Sequence, residues 1–143
     1  MQTDNEKMLQ EIVQNTEMGK NTLDELIGLT HDQRLKDEMM SQKREYRRIN
    51  KAAHTALDAI GAEAQGQSAA ARMSVSMGIR TRTMMDKSTR NLATMLAEGS
   101  GQGVLDCKRA EKDYPAASPG ARKLCQELGE FQSSAEETWR EFV

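Results

Sequence analysis

The sequence predicts a single all-α domain over residues 1–143: an antiparallel bundle of four main helices with a crossover connection between its two halves. Apolar residues recur at steps of three and four along four long segments, which is the period of a helix with one buried face. Aromatic residues make up only 3% of the chain, so Leu, Met and Ala supply most of the apolar surface. This composition favours helices over strands. A chain of 143 residues is long enough for one hydrophobic core.

The first two predicted helices form a hairpin. The first runs from about residue 5 to residue 28 and begins at a Thr-x-x-Glu capping box over residues 3–6. A second capping box, which starts at Thr30, opens a helix that extends to about residue 62. Because the loop between these helices is short, we expect them to pack antiparallel.

The second half follows the small, polar stretch GAEAQGQSAA at residues 61–70. A helical region then runs from about residue 70 to residue 113, and it is too long for one helix of the bundle. We therefore expect a break, either at Gly78 or at residues 86–88, with the early part carrying the chain back along the bundle. The Ser-Pro pair at residues 118–119 predicts the start of the last helix.

Composition excludes several classes of protein. The chain has 20 Lys and Arg against 22 Asp and Glu, whereas a general nucleic-acid binder is strongly basic. No apolar run approaches the ~20 residues of a membrane span, and the polar N-terminal residues do not form a signal peptide. Two cysteines make no disulfide framework. We expect a cytoplasmic protein that binds neither nucleic acid nor membrane.

Four segments narrow the fold further. They are Asn15–Gly19 (NTEMG), Glu45–Ile49 (EYRRI), Thr83–Thr89 (TMMDKST) and Ala93–Gly103 (ATMLAEGSGQG). Together they resemble a group of small ferritin-like proteins of Gram-positive bacteria, and the resemblance covers nearly the whole chain. It implies a ferritin-like four-helix bundle. It implies no particular activity.

Ferritin-like di-metal proteins hold their metals with a Glu from each of two helices and a Glu-x-x-His from each of the other two. Folding each predicted hairpin about its turn places several carboxylates near mid-bundle. The candidate metal ligands are Glu17, Glu45, Glu98 and Glu130, with Glu127 as a further option. The histidine part of the motif is absent, because neither His31 nor His54 lies in a Glu-x-x-His and Arg48 stands three residues after Glu45. Solvated glutamates are the simpler interpretation; an iron or manganese centre, or an all-carboxylate site for Mn or Ca, is the alternative.

Cys107 and Cys125 are the candidate redox pair. They lie about nine residues either side of the predicted turn, so an antiparallel hairpin places them nearly level. The two interpretations are a redox-sensitive disulfide and two small buried thiols in a helix seam.

Small residues and methionines are unusually frequent in the third quarter of the chain. Gly99, Gly101 and Gly103 predict either close packing, with Phe131 as the partner, or a helix break that exposes the backbone to a ligand. Methionines at five positions predict flexible core filling or an exposed strip that binds apolar helices or copper(I). These positions are Met73, Met77, Met84, Met85 and Met95.

These observations favour a non-enzymatic protein, with no catalytic residue predicted. We expect a helical scaffold or interaction protein that presents a helix face or an inter-helix groove to an unknown protein partner or to a second copy of itself. The rival class is a di-metal oxidoreductase or metal-storage protein. A third class is a small-ligand carrier, which would use space beside Gly19, Gly99 and Gly103 unless Tyr46 or Phe131 fills it.

Overall fold

The computed structural model describes all 143 residues and contains five α-helices and no strand. The helices are α1 (Asp4–Ile27), α2 (Gln33–Ala59), α3 (Ala69–Thr83), α4 (Thr89–Asp113) and α5 (Pro119–Arg140). The all-α prediction is confirmed. The long helical region after residue 70 breaks between α3 and α4, at the second of the two predicted positions, and α3 continues through Gly78. None of the helices combines the length and the hydropathy that crossing a membrane requires.

Each helix begins with a side-chain oxygen that accepts a hydrogen bond from an amide in the first turn. Thr3 caps α1 and Ser118 caps α5, as predicted. The predicted cap of α2 is wrong. Asp32 accepts from the Leu35 amide at 3.1 Å, whereas the Thr30 hydroxyl accepts from the Asp32 amide at 3.1 Å. Asp32 is therefore the N-cap of α2, because an aspartate carboxylate is preferred over a threonine hydroxyl at that position.

The long helices pack as two antiparallel pairs, α1 with α2 and α4 with α5. The pairs meet where α1 contacts α4 and α5 and where α2 contacts α5. They enclose one core of 26 buried apolar residues. The two tight turns lie at opposite ends of the molecule. The Thr89 hydroxyl donates to Asp32 Oδ2 at 3.1 Å beside the first turn, and the Ser118 hydroxyl donates to Asn5 Oδ1 at 2.7 Å beside the start of α1. Helix α4 therefore runs antiparallel to α1.

The connection between the pairs is a strap, residues 60–68, that runs back along α1. The side-chain amide of Gln10 makes two hydrogen bonds to the strap backbone. Its Nε2 donates to the Glu63 carbonyl at 2.8 Å, and its Oε1 accepts from the Gln65 amide at 2.7 Å. Further along α1, Asn21 Nδ2 donates to Gln67 Oε1 at 2.9 Å. Helix α3 continues in the same direction along α1. The chain thus returns to the end of the molecule where α4 begins.

Helix α4 is continuous through its glycines, so the alternative of a helix break there is excluded. Close packing is confirmed at Gly103, where a Cβ would overlap the Gln132 amide. The expected partner is wrong, because Phe131 instead packs edge-on against Tyr46 with ring centroids 5.0 Å apart. A Cβ at Gly99 would meet nothing within 4 Å.

Candidate functional site

A cluster of uncharged polar side chains lies at the centre of the bundle, and we call Asn15, Tyr46 and Gln132 the central cluster. Gln132 on α5 is only 2% exposed. Its Nε2 donates to Asn15 Oδ1 at 2.8 Å and to the Tyr46 hydroxyl oxygen at 3.1 Å. One amide therefore joins three helices, and its polar atoms are hydrogen-bonded as burial requires.

Two glycines make room for this cluster. A Cβ at Gly19 on α1 would overlap the ring of Tyr46, and a Cβ at Gly103 on α4 would overlap the Gln132 amide. Large polar side chains therefore fill the space directly beside these two glycines. Gly99 is different, because the space beside it stays open.

The central cluster carries no charge near neutral pH. Burial raises the pKa of Tyr46 to about 12, so its phenol keeps its proton. The amides of Asn15 and Gln132 do not titrate. The cluster therefore offers hydrogen-bond donors and acceptors without attracting ions.

The predicted cysteine pair adjoins the cluster. Cys107 and Cys125 are buried and free, and the Cys125 thiol donates to the Cys107 carbonyl at 3.5 Å, so they do lie level on facing helices. Cys107 Sγ also lies 3.8 Å from Gln132 Oε1. The side-chain contact with Cys125, together with burial, raises the pKa of Cys107, so its thiol stays protonated and weakly nucleophilic at neutral pH.

A groove of about 430 Å³ opens between α1 and α4, and the central cluster lies on its floor. Apolar side chains come from both helices, and the strap and the first turn of α3 also line the groove. Three charged residues line it as well: Asp106 is paired with Arg109 at 3.0 Å, and Glu11 accepts from the Tyr114 hydroxyl at 2.9 Å. Gly99 and the buried Ser100 lie on the α4 side. Apolar side chains that line this α1–α4 groove are Met18, Leu23, Met95, Leu96 and, on the floor, Trp139.

Two of the candidate metal ligands are engaged by arginines. Arg48 binds Glu45 at 2.7 Å and also lies 3.6 Å from Glu127, the further option. Arg82 on α3 binds Glu98 on α4 at 2.5 Å. A cation held against each carboxylate opposes metal binding there.

The other two candidates lie apart. Glu130 is exposed on α5. Glu17 lies under the strap, where its Oε2 is buried without a hydrogen-bond partner and its carboxylate contacts Gly66. No three His, Cys, Asp or Glu side chains come together in a group that could hold a metal ion. The residues present do not fit an iron or manganese centre.

Apolar stripes alone do not reveal the central cluster, although the sequence contains one signal of it. Gln132 lies four residues after Leu128 and three before Ala135, so it occupies a core position on α5. A polar residue at such a position predicts a buried hydrogen-bond network or an interface.

Comparison of the chain with protein-family models, with curated proteins and with solved structures gives no significant match.

Proposed function

We propose that this protein is a non-enzymatic binding module on a ferritin-like scaffold, and that the α1–α4 groove is its binding site. The groove supplies a volume of about 430 Å³, which is within the range of small-molecule pockets. We propose a ligand that is uncharged, with a hydrogen-bonding group and an apolar body. The observation that supports this most is the neutral floor of Asn15, Tyr46 and Gln132 beneath apolar side chains of both helices.

The chemistry of the groove supports binding rather than catalysis. A general acid or base works best when its pKa is near the working pH. The phenol of Tyr46 has a pKa of about 12, and burial helps to raise the pKa of Cys107. The remaining polar groups of the floor are the amides of Asn15 and Gln132 and the hydroxyl of Ser100, which hold and orient a ligand without exchanging protons with it. The two carboxylates that line the groove are already engaged, Asp106 by Arg109 and Glu11 by the Tyr114 hydroxyl.

The path of the chain supports the ferritin-like arrangement that we propose. Two antiparallel helix pairs are joined by a strap and α3, which run along α1 and bring α4 in antiparallel to α1. A bundle with one long crossover connection has this order of directions. The free cysteines are consistent with a reducing cytoplasm, which we propose as the compartment.

The test uses Nile red, a neutral dye with an apolar aromatic body and a carbonyl acceptor. Replacing Gly99→Leu should place an apolar side chain in the groove, because Gly99 lines it and a Cβ there meets nothing within 4 Å. Gly120→Leu is the matched control, since Gly120 also has open space on a helix but lies outside the groove. Dye fluorescence is titrated against the purified protein and both variants.

We expect the unmodified chain and Gly120→Leu to bind the dye alike, and Gly99→Leu to weaken binding about tenfold, since a leucine occupies the apolar contact surface. Circular dichroism should show unchanged helix content in both variants. Equal binding by Gly99→Leu and Gly120→Leu would place the dye elsewhere and refute the groove as the site.

A further inference from the structure

Helix α3 and its C-cap residue Met84 carry a second apolar stripe, beside the face that packs against α1. That packing buries Ile79 and Thr83. In the stripe three methionines are largely exposed: Met73 by 65%, Met77 by 61% and Met84 by 72%. A helix that buries one face and leaves an apolar stripe in solvent has a surface suited to a partner.

The exposed stripe has the spacing of a coiled-coil seam. Its members are Ala70, Met73, Met77, Arg80 and Met84, and we call them the α3 seam. Successive members are three, four, three and four residues apart, which is the alternation of core positions in a heptad repeat. At 100° per residue they fall within an arc of about 80°. All five are exposed.

One core position of the seam holds a cation. Arg80 makes no ion pair, whereas Arg82 on another side of the same helix binds Glu98. Helix α3 contains no Asp or Glu. Glu25 on α1 lines a shallow cleft together with Arg80, but the two side chains form no ion pair, so Arg80 is left to pair with a partner. A charged residue in a coiled-coil seam selects a partner that neutralises it.

These charges disfavour three other occupants. Parallel pairing with a second copy would oppose Arg80 to Arg80, and antiparallel pairing offers no acid, because α3 has none. Copper(I), a cation that thioethers bind, would be repelled by Arg80. A membrane-surface helix sinks a broad apolar face, whereas this stripe has the narrow width of a helix–helix seam.

We propose that the α3 seam docks an amphipathic helix of a different protein, one that carries apolar residues at heptad core positions and a carboxylate opposite Arg80. The methionine side chains provide an adaptable apolar surface, as they do at other helix-binding sites. Selectivity comes from the single charge in the seam. This interaction is separate from ligand binding in the α1–α4 groove.

The test uses the full chain and two fluorescent three-heptad peptides. Both have leucine at the core positions, and they differ only at the central core position, which is glutamate in one and lysine in the other. Fluorescence anisotropy should give a Kd about tenfold lower for the glutamate peptide. Arg80→Glu should reverse this preference, and Met77→Gln should weaken binding of the glutamate peptide about tenfold.

Matched variants on α2 provide the controls. Arg44→Glu changes an exposed arginine and Met40→Gln an exposed methionine away from α3, and neither should alter peptide binding. Equal binding of both peptides, no binding, or a preference that survives Arg80→Glu would overturn the proposal. Binding to phosphatidylglycerol vesicles that Met77→Gln abolishes would assign the seam to a membrane instead. A dimer in sedimentation that Met77→Gln dissociates would assign it to a second copy.

Discussion

Two glycines on facing helices have opposite roles that sequence alone does not separate. Gly19 on α1 is required by the ring of Tyr46, which lies where its Cβ would be. Gly99 on α4 has no neighbour within 4 Å of that position and leaves the α1–α4 groove open. Each glycine lowers helix stability relative to alanine. Only at Gly19 is this loss offset, because the Tyr46 ring packs into the space that the missing side chain leaves.

Alanine substitutions should therefore change stability in opposite directions. Gly99→Ala should raise the free energy of unfolding by up to about 1 kcal/mol through helix propensity. Gly19→Ala gains the same propensity but forces the Tyr46 ring out of place, and overpacking of this kind costs about 1–3 kcal/mol. We expect Gly19→Ala to lower the free energy of unfolding by about 1 kcal/mol in total, measured by urea unfolding. A stabilised Gly19→Ala would show that the ring moves without cost.

The buried phenol of Tyr46 predicts a stability loss at high pH. Its folded pKa of about 12 lies above the ordinary value of 10.0. Between these values the unfolded chain loses the phenolic proton and the folded chain retains it, so the free energy of unfolding falls as pH rises. The full loss, reached near pH 12, is about 2–3 kcal/mol.

The measurement is denaturant unfolding from neutral pH to about pH 11. Tyr46→Phe should be less stable at neutral pH, because Gln132 loses a partner, but it should lack this part of the alkaline decline. Tyr114→Phe, which removes a phenol that is half-buried, should keep the decline assigned to Tyr46. Parallel pH curves for the unmodified chain and Tyr46→Phe would contradict the assignment.

At the scale of helices, local signals predicted most of the fold. The Ser-Pro pair at residues 118–119 marked the start of α5. The break before α4 includes residues 86–88, one of the two positions predicted for it, and the other, Gly78, lies within α3. These signals succeed because caps and breaks depend on neighbours within one turn. Thr30 failed as a cap because Asp32, two residues on, competes for the same role.

One cap at the second turn allows a quantitative test. The Ser118 hydroxyl accepts from the Ala121 amide at 3.2 Å and donates to Asn5 on α1. Ser118→Ala removes both bonds and should lower the free energy of unfolding by about 1–2 kcal/mol. Ser133→Ala, in the exposed interior of α5, should change it by less than about 0.5 kcal/mol. Similar values for both variants would contradict the capping role. Thermal or urea unfolding measures the difference.

The candidate site was much less predictable than the helices. The carboxylates were assigned to the middle of the bundle from their positions along its axis alone. Position along the axis does not determine which side of a helix a residue faces. Glu45 and Glu98 face arginines and Glu17 faces the strap. The groove exists because a side chain from another helix packs against Gly19 and Gly103 but none packs against Gly99. Such contacts join residues far apart in the sequence, so local patterns do not predict them. Only the cysteine pair, which lies close to a tight turn, was placed correctly from its spacing.

At the scale of the whole molecule, the dispersed carboxylates predict how the protein responds to metal. Incubation with Fe(II), Mn(II) or Zn(II) followed by desalting should leave no stoichiometric metal by elemental analysis, because no three ligands converge. A variant with Glu17→Ala and Glu98→Ala should give the same result. Stoichiometric metal that this double variant loses would overturn the binding-module proposal and restore the di-metal alternative.

The unpartnered oxygen of Glu17 has a consequence for how the molecule opens. Covering a polar atom without a hydrogen bond costs about 1–3 kcal/mol, and that cost is relieved as soon as the strap lifts and the oxygen is hydrated. The strap should therefore open in brief local fluctuations while the helices stay folded. The Gln65 amide, which donates to Gln10, reports each opening through its hydrogen-exchange rate.

Glu17→Ala should slow exchange at Gln65 roughly tenfold and leave the amide of Leu128 in α5 unchanged. Identical exchange at Gln65 in the variant would mean that the oxygen does not oppose closure. If the rates separate as expected, a single glutamate lowers the free energy needed to open the strap, and the groove can widen on that side without any helix having to move.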